Sequence, residues 1–163
     1  MAYPLRERLI EELERHFGAD KKRIDHAKKV LAFAEGLLDK EGGEPEIVIP
    51  ASILHDVGIK EAERKYGSSA GKYQEKEGPP IARRILEALG IGPQDIEEIC
   101  QIIAHHHAPG KIDTKNFKIL YDADWLVNLK DEVDTKDKVK LEKIINKVFY
   151  TDTARTLAQK TYL

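Results

Sequence analysis

The chain has 163 residues, 41% of them hydrophobic and 34% charged, with a formal net charge of −2. That is long enough for one globular domain with its own core, it is not a disordered composition, and no apolar run approaches the roughly 20 residues that cross a bilayer. The balanced charge, without a basic stripe interleaved with aromatics, argues against a nucleic-acid surface, and the charged N-terminus does not read as a secretory signal. Cys100 stands alone, which excludes an intrachain disulfide and a cysteine-based zinc site and points to a reducing cytoplasm.

The apolar pattern is helical nearly everywhere. Leu5, Leu9 and Leu13 step by four, predicting a first amphipathic helix that stops near Gly18. Asp20 can cap a second helix, on which Ile24, Ala27, Val30, Leu31, Ala34, Leu37 and Leu38 recur at three and four until Gly42-Gly43. Residues 45–57 open with Pro45 and read as helix because Ile47, Ala51, Leu54 and His55 share a face, although Pro50 opposes it; Gly58 is placed to close this segment.

Residues 61–78 are polar and glycine-dotted, which predicts a short helix plus a long loop. Pro79-Pro80 then opens a helix through Leu89, with further helices over 95–106, 115–131, 136–149 and 151–160. Strict alternation is missing, so the expectation is a single all-α domain over 1–163. Its core spans roughly 20–130, and it counts about six to eight helices.

Several titratable residues interrupt this apolar pattern. His26 lies near the core side of the second helix, His55-Asp56 ends an apolar helix, and Asp122 and Asp124 fall inside the apolar run KILYDADWLVNL. Buried carboxylates are costly unless paired or ligated, and convergence on a cation would offset that cost. Mixed imidazole and carboxylate ligation suits a divalent transition ion better than calcium.

The ordered set His26, His55-Asp56 and a distant Asp, carried by RIDHAKKV, ASILHDVGIK and LYDADWL, resembles the HD-domain superfamily of metal-dependent phosphohydrolases. The resemblance implies a helical bundle binding a divalent cation (Mn, Fe, Co, Ni, Zn or Mg) through His26, His55, Asp56 and Asp124. Asp124 is favoured over Asp122 because Trp125 and Leu126 follow it. Members with two metals carry extra histidines, for which His105, His106 and Glu77 occupy the corresponding places. At about 100° per residue no more than two of His105-His106-His107 face one cleft; His105 and His106 are the expected pair, with His107 at the helix end. Lys60, one place beyond the lysine of many relatives, is the candidate phosphate contact.

The resemblance thus implies a hydrolase of a small anionic phosphate ester acting through metal-bound hydroxide. Asp56 would orient the nucleophile, and His105 or His106 would stabilise charge or protonate the leaving oxygen. The segments 59–78 and 108–114 are the expected sources of substrate choice. Motifs of guanosine tetraphosphate hydrolases and cyclic-dinucleotide phosphodiesterases are missing. Two alternatives stay open: a di-iron oxygenase of the same superfamily, and a non-catalytic metal-binding sensor module. Subunit count is open as well.

Overall fold

A computed structural model describes residues 3–163; Met1 and Ala2 lie outside the described residues. Nine helices and no strand form among them: α1 Arg6–Phe17, α2 Lys21–Glu41, α3 Pro45–Leu54, α4 Ile59–Tyr66, α5 Gly71–Ala88, α6 Pro93–His105, α7 Lys115–Glu132, α8 Lys138–Val148 and α9 Asp152–Tyr162. The all-helical bundle expected from the periodicity is what forms, with nine helices where the apolar pattern predicts six to eight. None of them is long and apolar enough to cross a membrane.

The core is organised around α3. Every residue from Ile47 through Leu54 is buried, and α1, α2, α6 and α7 all pack against this short helix. Pro50 lacks an N–H and costs an interior helix about 3 kcal/mol. Burying each of Ile47, Val48, Ile49, Ile53 and Leu54 contributes about 1.5–3 kcal/mol, so packing outweighs the proline. α2 packs most extensively on α7 and α3, and α5 on α6. These pairings carry the second, third, sixth and seventh helices, and with them every residue of the converging ligand set, to one end of α3.

The stretch over 61–78 departs from expectation. It is not a short helix plus a long loop: only residues 67–70 separate α4 from α5, and Pro79 and Pro80 lie inside α5 rather than opening it. Two tertiary contacts override the local signals. Tyr66 and Tyr73 stack across the turn with ring centroids 4.2 Å apart. Further on, Gly78 lies directly against Gly58, where a Cβ on Gly58 would come within 2.6 Å of Gly78 N and of the Gln74 carbonyl oxygen. Gly58 accordingly does not close a helix in the left-handed conformation. Its φ is −78°, and its missing side chain serves the close approach of α5 to the turn carrying His55 and Asp56.

Candidate metal centre

His26 projects from α2, His55 and Asp56 from the turn after α3, and Asp124 from α7. Their ligand atoms meet. His26 Nε2 stands 3.2 Å from Asp124 Oδ1, 3.3 Å from Asp56 Oδ2 and 3.4 Å from His55 Nε2. His55 Nε2 stands 3.3 Å from Asp56 Oδ2 and 3.4 Å from Asp124 Oδ1. Ligands about 2.1 Å from one ion lie about 3.0–3.4 Å from each other, so these edges have the size of a coordination shell. All four residues predicted to converge do so, although up to 98 positions separate them.

Hydrogen bonding sets the imidazoles for ligation. His55 Nδ1 donates to the Ser52 carbonyl at 2.8 Å, and His106 Nδ1 donates to the Ile103 carbonyl at 2.7 Å. A carbonyl only accepts, so each Nδ1 carries a proton, and in the neutral ring each Nε2 is left with its lone pair turned into the site. His106 is 2% exposed, and its Nε2 has no hydrogen-bond partner despite lying 3.3 Å from Asp56 Oδ1, because the geometry is not that of a hydrogen bond. A buried, orphaned basic nitrogen beside a carboxylate is the observation a bound cation would explain.

The electrostatics agree. Burial pushes the Asp56 and Asp124 carboxyls up, yet the histidines around them outweigh it and hold both well below the usual carboxylate range. Burial likewise works against charge on His55 and His26, and contact with Asp56 and Asp124 raises both above the ordinary value. Two ionised carboxylates in so dry a place require positive charge. Imidazole and carboxylate donors in this ratio fit a divalent transition ion.

A second cluster adjoins the first: Asp56, His106 and His107 bring ligand atoms within 4.8 Å of one another. Here the structure corrects the expected histidine pair. His105 does not face the site; its Nδ1 bonds the Gln101 carbonyl at 2.9 Å on the exposed side of α6. The helix ends at His105, and the turn beyond it brings the ligand atoms of both His106, which is buried, and His107, which stays exposed, beside Asp56, so the wheel that favours His105 over His107 stops applying there. His107 is further held by α5: its ring packs on Gly71, its N–H donates to Glu75 Oε2 at 3.1 Å, and its Nε2 lies 3.2 Å from Gln74 Oε1. Burial, then the neighbouring His106, push the His107 imidazole down to about 4.

Two further expectations are corrected. Glu77 belongs to neither cluster. Lys65 Nζ and Tyr66 Oη donate to its carboxylate at 2.8 and 2.9 Å, in a different cavity. Lys60 lines that same cavity and reaches the His16 carbonyl at 3.3 Å, because Ile59 takes the position facing the cleft and the next residue turns away. Asp122, as expected of the structural acid, is fully buried and accepts from Tyr150 N, Thr151 N and Thr151 Oγ1 at 2.8–2.9 Å.

Two connected clefts open onto the clusters, of about 400 and 200 Å3, sharing His107, Asp124 and Asn128. Lys22, Arg23 and Gln74 line the larger, and Tyr121, Trp125 and Glu132 the smaller. Sequence reasoning missed Asn128, whose Nδ2 donates to Asp124 Oδ1 at 3.0 Å. The signal was its position four residues after Asp124, on the same helix face. Nothing from 108–114 lines either cleft, and of 59–78 only Ile59 and Gln74 do.

The comparisons agree with this geometry. A family model described as HD domain matches residues 23–129, which span all four of the converging residues. The fold is similar to a crystal structure of a predicted HD superfamily hydrolase from an uncultured Thermotogales bacterium. The TM-score is 0.73 and the identity 23%, covering 98% of this chain and 86% of that one. No curated protein matches the chain. With the match extending over most of its length and the ordered His, His-Asp and Asp residues gathered at one end of α3, the chain belongs to the HD domain family.

Proposed function

We propose that this protein is a metal-dependent hydrolase of a small phosphate ester, a nucleotide or phosphorylated metabolite. The observation that carries the reading is the position of Asp56. One carboxylate oxygen faces His26 and His55, the other faces His106, each at 3.3 Å. Asp56 would be shared by two donor sets, His26, His55 and Asp124 on one side and His106 and His107 on the other, either of which would hold a divalent cation. A divalent cation held there would supply a water of lowered pKa and would polarise the phosphoryl group whose phosphorus is attacked.

The residues of the chain divide the remaining work. His55 and His106 are fixed in tautomer by the Ser52 and Ile103 carbonyls, so neither ring rotates out of the site. Asn128 steadies the Asp124 carboxylate. Lys22 and Arg23, one turn before His26, stand at the mouth of the larger cleft, where they meet the phosphate of an incoming ester; Arg23 is braced by Asp20 and Glu63. His107 is neutral at physiological pH and bonds Gln74, which orients it toward the bound group. The smaller cleft, with Trp125 and Tyr121 in its wall, takes the leaving group.

The test is turnover of a phosphoester panel by metal-supplemented enzyme, before and after chelation, beside Asp56→Ala. The reading expects turnover that chelation removes and metal restores, and that Asp56→Ala lacks. Turnover unchanged by both treatments contradicts it.

A further inference from the structure

Behind the turn that carries Asp56 lies another cavity, of about 600 Å3, walled by the end of α1, by α4 and by the middle of α5. No residue of the metal clusters lines it. Its walls hold four permanent cations, Lys60, Arg64, Lys65 and Arg84, but only two carboxylates, Glu61 and Glu77.

Both carboxylates are already engaged. Glu61 pairs with Arg64, whose Nε lies 3.0 Å away, and Glu77 takes Lys65 Nζ at 2.8 Å and the Tyr66 hydroxyl at 2.9 Å. Lys60 is left with a backbone carbonyl, that of His16, and Arg84 has no carboxylate within ion-pair distance among the described residues. These two charges, neither of them held in an ion pair, come from different helices and line the cavity together with His16. Burial pushes the His16 imidazole down, its bond to the Val57 carbonyl works the other way, and Lys60 and Arg84 add to the lowering. Positive potential from two directions, inside a concave wall whose own acids are neutralised, suits a compact dianion better than an extended acidic peptide. A guanidinium matches two phosphate oxygens, an ammonium takes a third, and the volume falls within the range of small-molecule sites.

We propose that the cavity bounded by His16, Lys60 and Arg84 binds a small phosphate-bearing anion, apart from the metal cleft. Its floor is joined to the metal centre: His16 Nε2 donates to the Val57 carbonyl at 2.8 Å, and Val57 directly follows Asp56. The bound group is either free phosphate or the phosphate of a larger metabolite, and the binding does not depend on the hydrolase reading.

Calorimetric titration of the full-length, metal-supplemented protein with inorganic phosphate and, separately, with ADP tests the proposal. The variants are Arg84→Ala, Lys60→Ala and, to remove the metal cleft, His26→Ala. All but the last are exposed substitutions. Saturable binding of at least one probe is expected to persist in His26→Ala and to weaken about tenfold in Arg84→Ala and in Lys60→Ala. Equal affinity for both probes assigns the site to free phosphate, and tighter ADP binding assigns it to a phosphorylated metabolite. Absence of saturable binding, loss of all binding in His26→Ala, or affinity unchanged by Arg84→Ala and Lys60→Ala overturns the proposal.

Discussion

Asp56 Oδ1 lies 3.3 Å from the buried, otherwise partnerless Nε2 of His106, while Asp56 Oδ2 lies equally close to His26 and His55. One side chain therefore joins the two donor clusters, and changing it affects both. Asp56→Asn keeps the volume but removes the charge and one ligating oxygen. We expect metal content to fall and kcat/KM on a responsive phosphoester to drop by about 10²-fold or more. Elemental analysis and initial rates on the same preparation check this.

His105 and His107 are close in sequence with opposite surroundings. His107→Ala should lower kcat/KM by about 10-fold to 100-fold, whereas His105→Ala, which loses only a bond to the Gln101 carbonyl, should stay within about twofold. Parallel kinetics decide it. Equal losses in the two variants would mean that the turn after α6 does not place His107 in the site.

Asp122 is a structural acid. It accepts three hydrogen bonds that tie α7 to Tyr150 and to Thr151, the residue capping α9. Asp122→Ala leaves two backbone N–H groups and a hydroxyl without their acceptor and should cost about 2–4 kcal/mol of stability, with metal content per folded chain unchanged. Denaturant unfolding, combined with elemental analysis, separates these two effects.

Gly58 sets the distance between the ligand-bearing turn and α5. A Cβ there would lie 2.6 Å from both Gln74 O and Gly78 N, contacts that only backbone movement relieves. Gly58→Ala is expected to destabilise the protein by about 1–3 kcal/mol and to displace Asp56, weakening metal binding as well. Thermal unfolding with and without added metal reads both. Because Gly58 has a negative φ, the loss comes from contact and not from backbone strain.

The fold and the central four residues are legible in the sequence because each rests on a strong local signal. Leu9, Leu13 and the run from Ile24 to Leu38 repeat at helical spacing, and His26, His55, Asp56 and Asp124 are titratable groups inside apolar runs that need a reason to be there. What escapes the sequence is set by contacts between distant segments. Local composition predicts a long loop over 61–78, and the segment is helical because Gly78 meets Gly58 and Tyr73 stacks on Tyr66. A regular helix extended past His105 points His107 away from Asp56, but the chain turns there and brings the two together. Glu77 and Lys60 rest on sequence order alone, and their true partners, Lys65 and His16, lie on a different wall.

Elemental analysis of protein purified from metal-supplemented cells, wild type beside His26→Ala and Asp124→Ala, is the most direct measurement. We expect about one divalent ion or more per wild-type chain and a large loss in each variant, with helical content retained. Wild-type protein that is folded yet metal-free, or variants that keep the full complement, would contradict it.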